Sequence, residues 1–229
     1  PIFTVMFCDM RNFTRVSEAL PPEELRALVN RFFSAMTQEI REFANAREAE
    51  AFGRFCDWLE QLYRVEMAHF IDAEKLEVVA NVLVDTRPRH AAFEKDGKRV
   101  WVTSEIGGTV SVLDAATQSI VKKISFAIPG VKPEVIQPVG LRFSKDGKLA
   151  FVALGPANHV AVVDTATLEV TNYILVGQRP WHMELGPDGT KLYVANGLTN
   201  DMTVIDVATQ KAERSVPVGR LPWGVAIVP

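Results

Sequence analysis

Three side chains in this sequence have a type and a setting that could do chemistry. Asp9 follows the apolar run "VMFC" and precedes the turn "RNFT", so its carboxylate is predicted at the end of a strand. A carboxylate in that setting could bind a hard cation such as Mg²⁺ or Mn²⁺. His90 and His182 occupy one position in two copies of an internal repeat, where Gly140 and Gly224 stand in the other copies.

The chemistry open to these residues is limited by what accompanies them. A cation at a phosphate site needs more than one carboxylate, so the alternative for Asp9 is that it caps the turn that follows it. No Asp, Glu or Cys recurs beside His90 and His182, which favours polar lining over a metal site. No catalytic residue and no cofactor is predicted, apart from a residual Mg²⁺ or Mn²⁺ at Asp9.

Two amphipathic segments follow Asp9. The first begins at Pro21-Pro22-Glu23-Glu24, a favourable helix start, and continues with apolar residues at helical spacing. The second covers 47–71 and carries a similar stripe that includes Phe52 and Phe70. Residues 1–72 contain eight Arg and no Lys, whereas 73–229 contain both. We therefore predict a strand and two helices, with a domain boundary near residue 72.

The region after this boundary is built from a repeat. Its units begin at prolines spaced 50, 42 and 42 residues apart: Pro88, Pro138, Pro180 and Pro222. Each of the three full units contains a "DGK" or "DGT" turn followed by an "AT" turn. The eight extra residues of the first unit fall around "FAIPGVKPEVI". Four strand signals per unit are typical of a β-propeller blade.

A propeller blade gives several side chains an expected location. The first strand of each blade lines the central channel, so His90 and His182 are channel-lining candidates. Trp181 and Trp223 are expected to pack between blades. Aspartates of the "AT" turns are expected to accept hydrogen bonds from backbone amides, namely Asp114, Asp164 and Asp206.

The repeat region resembles the YVTN-type β-propeller family, through "LYVANGLTNDMTVIDVAT" and "VWVTSEIGGTVSVLDAAT". More narrowly, "RPRHAAF" and "FVALGPANHVAVVD" are similar to propeller proteins associated with PQQ-dependent alcohol catabolism. This resemblance covers about 73–229 and implies a periplasmic, non-catalytic binding or partner protein. The chain supplies about four blade equivalents, where such propellers usually close with seven. Open edges would favour a homodimer.

The start of the chain resembles a class III nucleotide cyclase domain, through "VMFCDMRNFTRVSEALPPEELRALVNRFFSAM". That resemblance implies a metal bound by Asp9 and the carbonyl of Met10. The second metal aspartate of the family belongs to a glycine-aspartate hairpin, and none follows Phe43. Residues 47–72 faintly resemble a helix of FAD-dependent, phytoene-desaturase-like enzymes. No GxGxxG loop accompanies them, so flavin binding is not predicted.

The whole chain is interpreted as a composite with mainly β structure, namely a partial YVTN-type propeller preceded by a strand and two helices. We predict a truncated cyclase-like unit at 1–45, a connecting helix at 46–72 and propeller repeats at 73–229. The repeats divide into units at 87–136, 137–178 and 179–220, with partial pieces at 73–86 and 221–229.

Composition restricts the function further. The net charge of −3 provides no basic surface for nucleic acid or for an anionic membrane. No apolar run is long enough to cross a bilayer, and no signal peptide is recognisable, which predicts a cytoplasmic location as written. The propeller resemblance would instead imply the periplasm.

The sequence favours a non-enzymatic binding or scaffold protein that acts through a propeller surface on a protein partner or a small ligand. One alternative is a cyclase fragment that binds metal-nucleotide through Asp9 and is inactive alone. The other is a protein that binds its partner through the N-terminal helices.

Overall fold

Antiparallel strands dominate the computed structural model, which describes residues 3–4, 66–72, 75 and 77–227. These residues divide between two compact units. The first includes 3–4, 69–72, 75 and 77–81, and the second includes 66–68 and 82–227. No helix within these ranges is long and apolar enough to span a membrane.

A small sheet joins the start of the chain to the segment that precedes the repeats. It contains β1 (Phe3–Thr4), β2 (Met67–Asp72) and β3 (Glu77–Leu83), in the order β1-β2-β3. β1 pairs antiparallel with β2, where Thr4 lies opposite Ile71. Asp9 and the first predicted helix lie outside the described residues.

The predicted connecting helix at 46–72 is wrong over its last six residues, because Met67–Asp72 is strand β2. Ala68 and Phe70 are fully buried while His69 between them is only partly buried, which is the two-residue period of a strand. Phe70 fits the helical stripe of 47–71, but in the structure it alternates with its strand neighbours, as a residue of β2 does. The rest of 46–72 lies outside the described residues.

Three four-stranded antiparallel sheets follow, and each pairs its strands in chain order. The first blade contains β4 (Pro88–Phe93), β5 (Arg99–Ser104), β6 (Thr109–Asp114) and β7 (Ser119–Ser125). The second contains β8 (Leu141–Phe143), β9 (Leu149–Ala153), β10 (His159–Asp164) and β11 (Glu169–Leu175). The third contains β12 (Pro180–Leu185), β13 (Lys191–Asn196), β14 (Asp201–Asp206) and β15 (Lys211–Pro217). The prediction of a mainly β, partial propeller is confirmed at this level.

The middle blade is buried on both faces because successive residues of its strands point in opposite directions. Ala150 and Val152 of β9 belong to the core shared with the first blade. Phe151 and Ala153 of the same strand belong to the core shared with the third blade. This double burial explains why β9 reads "LAFVA", a continuous apolar run, rather than an alternating pattern.

The turns behave as the sequence predicts. Each "DG" hairpin has its glycine in the left-handed region, with φ of 71°, 76° and 80° at Gly97, Gly147 and Gly189. In the "AT" turns, the aspartate accepts a hydrogen bond of 2.8 Å from the backbone amide three residues later, as at Asp114, Asp164 and Asp206. The predicted role of these three aspartates is confirmed.

Trp101 should contribute strongly to stability. Its side chain is fully buried, its Nε1 donates to Glu94 Oε1 at 2.7 Å, and its ring meets Phe143 of the next blade edge-on with centroids 5.5 Å apart. We expect Trp101→Ala to lower the free energy of unfolding by about 3–5 kcal/mol, measured by urea denaturation.

Val121→Ala on the outer strand β7 is the control because 54% of that residue is exposed, so its effect should stay within about 0.5 kcal/mol. Equal losses in the two variants would contradict the packing described for the first two blades.

Candidate functional site

The first strands of the three blades lie side by side, and the C-terminal segment continues the series. The backbone amide of Gly140 donates to the carbonyl of Trp181 at 3.0 Å, and the amide of His182 donates to the carbonyl of Trp223 at 3.3 Å. Between the first two blades, the Thr103 hydroxyl donates to the carbonyl of Val139 at 2.7 Å. These contacts hold the first strands of neighbouring blades, β4, β8 and β12, close together. We call these three the inner strands.

The glycine at position 140 has a steric cause. A Cβ at Gly140 would lie 2.4 Å from the carbonyl oxygen of Trp181 and 3.2 Å from Nδ1 of His182. Only glycine at position 140 therefore allows β8 and β12 to approach this closely, because the backbone and side chain of His182 occupy the space that a Cβ would need. At Gly224, by contrast, an added Cβ would meet only the Cβ of His182 at 3.7 Å, an ordinary contact, so the steric requirement applies to Gly140.

His90 and His182 lie next to each other, with ring centroids 5.3 Å apart. Nη1 of Arg142 lies 3.1 Å from Nε2 of His90. A guanidinium can only donate, so Nε2 of His90 is the acceptor and its proton is on Nδ1. This contact requires a neutral imidazole, and burial together with the charges of His182 and Arg142 lowers the pKa of His90 to about 4.

Arg142 also forms an ion pair with Glu184 of the third blade. Its Nη2 lies 2.9 Å from Oε2, and its Nε lies 3.2 Å from Oε1 and 3.1 Å from Oε2. Burial raises the pKa of Glu184, but hydrogen bonding to Arg142 and the charge of Arg142 outweigh it, so the net pKa is lowered. Glu184 is therefore an anion and a poor proton acceptor near neutral pH.

His182 completes what we call the inner-strand cluster: His90, Arg142, His182, Glu184 and Trp223. Its ring lies against Trp223, with centroids 4.3 Å apart. Burial lowers the pKa of His182 to about 4, and the charges of Arg142 and Arg89 act in the same direction. Both imidazoles are thus neutral near pH 7 and both experience neighbouring positive charge.

A second group, which we call the arginine cluster, lies at the start of the inner strands. Glu105, whose side chain is 2% exposed, contacts Arg87 Nε at 3.2 Å, Arg89 Nε at 3.0 Å and Arg179 Nη2 at 3.1 Å. The guanidinium carbons of Arg179 and Arg89 lie 4.5 Å and 5.6 Å from the ring centroid of Trp181. Three cations therefore converge on one buried carboxylate, and two of them also lie over one indole ring.

The histidines were identified from the sequence, but their neighbours were not. That both line a closed channel remains a prediction. The expectation that Trp181 packs between blades is confirmed, since it is partly buried against the core shared by the second and third blades. Trp223 lies against His182 of the third blade, and its packing between blades stays a prediction. Arg142 and Glu184 share one repeat position, two residues after the His or Gly. The sequence did contain a signal for this pair, because the same repeat position carries opposite charges in the second and third blades and Ala92 in the first.

Metal binding finds little support in the part of the chain that the structure describes. No group of three or more His, Cys, Asp or Glu side chains there could hold a metal ion. Arg142 occupies Nε2 of His90, which removes one of the two imidazoles as a ligand. The metal site predicted at Asp9 lies outside the described residues and stays a prediction.

The neutral histidines predict a pH-dependent stability. Unfolded histidines titrate near 6.5, whereas His90 and His182 titrate near 4 in the folded protein. Between these values the unfolded chain binds more protons, so the free energy of unfolding should fall as the pH decreases from about 6.5 towards 4. Above about pH 6.5 this contribution is fully present.

The double variant His90→Gln/His182→Gln should lose this part of the slope, which corresponds to at most two protons. Urea denaturation across the pH range measures it. His159→Gln in β10 is the control and should retain the slope. A wild-type stability that does not change between pH 6.5 and 4 would be incompatible with buried neutral imidazoles.

Comparison with known proteins agrees with the fold. The family model described as "Lactonase, 7-bladed beta-propeller" matches residues 63–216. Hydrazine synthase of Kuenenia stuttgartiensis superimposes with a TM-score of 0.59 at 26% identity, over 66% of this chain and 42% of that one. No curated protein sequence matches significantly.

Two further solved structures share the fold alone. One is a functionally unknown protein from Desulfotomaculum acetoxidans, with a TM-score of 0.60 and 16% identity over 72% of this chain and 53% of that one. The other is a proposed 6-phosphogluconolactonase from Bacteroides fragilis, with a TM-score of 0.58 and 24% identity over 72% and 52%. The chain spans about half the length of these structures. Since the family model covers more than half of the chain, this protein belongs to the seven-bladed β-propeller lactonase family.

Proposed function

We propose that this protein is a non-enzymatic, ligand-binding propeller that takes up a small anion at the inner-strand cluster. The observation that carries the proposal is the position of the Arg142 guanidinium, which is partly exposed and lies between the neutral imidazole of His90 and the carboxylate of Glu184. Burial is the main cause that lowers the pKa of His90 and His182, so neither imidazole adds charge to the cluster near neutral pH. A partly exposed guanidinium favours carboxylate or phosphate as a ligand.

The donors of the cluster suit such a ligand. Arg142 has a planar, five-donor guanidinium that binds carboxylate and phosphate in a fork. The side chains of Arg142 and Glu184 in this ion pair are each about one-third exposed. An anion can therefore bind the guanidinium without first exposing a deeply buried charge to water. The ring of Trp223 beside His182 offers an apolar surface for the body of the ligand.

Calorimetric titration tests this proposal, with phosphate, succinate and citrate as probes at low ionic strength and near neutral pH. We expect saturable binding of at least one anion and a loss of about tenfold or more in affinity in Arg142→Gln. Arg142→Lys keeps the positive charge but loses the planar set of five donors, so its anion affinity should lie between those of the wild type and Arg142→Gln. Arg214→Gln, at an exposed position of the outer strand β15, is the control and should bind as the wild type.

An absence of binding heat for all three anions would contradict the proposal. Equal anion affinities of the wild type and Arg142→Gln would show that the anion binds outside the inner-strand cluster.

Lactone hydrolysis is the second candidate, favoured by the family to which the chain belongs. Opening a lactone by water needs a base and a donor for the developing oxyanion. Nε2 of His90 already accepts from Arg142, which leaves the neutral ring of His182 as the better candidate base and Arg142 as the donor.

A pH-indicator assay with δ-gluconolactone separates the two functions. The binding proposal predicts no hydrolysis above the buffer rate. Turnover by the wild type that disappears in His182→Gln and persists in His159→Gln would establish the hydrolase instead.

The remaining hypotheses concern other parts of the chain. Metal-nucleotide binding by Asp9 and partner binding by the N-terminal helices fall on residues outside the described ranges, so both stay predictions. The homodimer through open edges and the cellular compartment stay predictions as well.

A further inference from the structure

The chain contains a single Asn-Gly pair, Asn196-Gly197, at the junction between strand β13 and the turn 197–200. This pairing is prone to deamidation, because glycine carries no side chain to hinder attack by its backbone nitrogen on the side-chain amide carbon of the asparagine. Neither the anion site nor the lactone alternative uses these two residues. Their environment in the third blade decides when the reaction can occur.

The glycine of this pair is required by the packing of the third blade. A Cβ at position 197 would lie 2.7 Å from Nε1 and 2.8 Å from Cδ1 of Trp181. The guanidinium carbon of Arg179 lies 4.5 Å from the ring centroid of the same tryptophan, which holds the indole on that side. A residue with a side chain at position 197 would displace Trp181, so the reactive pair is a consequence of this close approach.

The asparagine of this pair is a buried hydrogen-bond donor. Asn196 is fully buried, and its Nδ2 donates to Oδ1 of Asp201 at 2.7 Å and to Oγ1 of Thr203 at 2.8 Å. An ionised carboxylate can only accept, which assigns the nitrogen of the side-chain amide to this side. The Thr199 hydroxyl donates to the same oxygen of Asp201 at 2.8 Å. Asn196 therefore closes the turn 197–200 from within the blade.

This turn also anchors the segment that leads into β12. The Gln178 amide donates to the hydroxyl of Thr199 at 3.1 Å, and the Leu198 amide donates to the carbonyl of Gln178 at 3.0 Å. The Gly197 amide donates to the carbonyl of Arg179 at 2.9 Å. Arg179 belongs to the arginine cluster, so the turn positions one of the three guanidinium groups of that cluster.

The closed turn protects the pair from reaction. The hydrogen of the Gly197 amide is bonded to the carbonyl of Arg179, and the nitrogen that would leave from Asn196 holds two hydrogen bonds. Among the described residues, Oδ1 of Asn196 is buried without a hydrogen-bond partner, so negative charge that develops on it during the attack would meet no donor. The reaction therefore requires local opening of the turn.

We propose that Asn196-Gly197 is a site of covalent modification that reacts when the third blade opens locally, and that the product cannot close the turn again. In this reaction the Gly197 nitrogen forms a bond to Cγ of Asn196, the Cγ–Nδ2 bond breaks, and ammonia leaves with the proton of the Gly197 amide. Water then opens the cyclic imide to aspartate or isoaspartate. No step depends on a bound anion, so the inference goes beyond the proposed function.

Either product is incompatible with the closed turn. Aspartate at position 196 would place a buried carboxylate against that of Asp201, where the structure has a donor. Isoaspartate would add a methylene group to the backbone of β13 at the residue that pairs with Asp201 of β14. Because the turn anchors the segment before β12, its opening should also release Arg179 from the arginine cluster.

Peptide mapping by mass spectrometry tests the reaction, after incubation of the full chain at mildly alkaline pH with and without guanidinium chloride. We expect deamidation of Asn196 to be about tenfold or more faster in denaturant than in the native protein, because only the open turn reacts. Asn158, which precedes His159, is the internal control and should react slowly in both conditions. Equal rates for Asn196 in the two conditions would overturn the inference, and so would equal rates for Asn158 and Asn196 in denaturant.

Variants test whether the product can close the turn. Asn196→Asp should lower the urea midpoint of unfolding or prevent folding. Asn196→Asp/Asp201→Asn should recover most of the loss, because an amide again faces a carboxylate. Asn158→Asp is the matched control, since Oδ1 of Asn158 accepts from the Arg179 amide at 3.0 Å and a carboxylate keeps that acceptor. Its midpoint should equal that of the wild type.

Two results with these variants would contradict the second part of the inference. A wild-type midpoint in Asn196→Asp would show that the turn closes around the product. A double variant no more stable than Asn196→Asp would contradict the role assigned to the carboxylate of Asp201.

Discussion

The guanidinium of Arg142 connects all three described blades, and the rest of the inner site depends on it. From the first strand of the middle blade it bonds to His90 of the first blade and to Glu184 of the third. Both contacts require that neighbouring inner strands lie close enough for their backbones to hydrogen-bond, as Gly140 does with Trp181. Glycine at 140 permits that approach, so a residue without a side chain determines where the charged groups meet.

The electrostatics follow from this connection. Arg142 holds Glu184 as an anion and requires His90 to accept a hydrogen bond, which keeps its imidazole neutral. The ring of His182 lies against Trp223 and is neutral mainly because of burial, while the charges of Arg142 and Arg89 lower its pKa further. At the start of the inner strands, three arginines surround the single carboxylate of Glu105. The opposite end of the blades consists of turns in which aspartates bond to their own backbone.

Local features of this fold could be read from the sequence, because they depend on residues within one hairpin. The turn glycines, the turn aspartates and the four strands of each repeat belong to this class. The two histidines could be placed on equivalent strands because the repeat fixes their position. What the sequence did not reveal is which charges meet. Arg142 and Glu184 are separated by 42 residues, and Glu105 and Arg179 by 74, and each pair forms only after separate blades pack together. Strand β2 was misread because its aromatic and aliphatic residues also satisfy helical spacing over a longer window.

The central claim is that Arg142 fixes His90 as a neutral imidazole with its proton on Nδ1. Long-range ¹H–¹⁵N correlation spectra of the histidine side chains test this most directly, with His90→Gln for assignment. The account predicts that, near neutral pH, His90 has a protonated Nδ1 and an unprotonated, hydrogen-bonded Nε2, and that Arg142→Gln abolishes this preference. A charged imidazolium, or a neutral ring with its proton on Nε2, would contradict the arrangement of the inner-strand cluster and the anion site inferred from it.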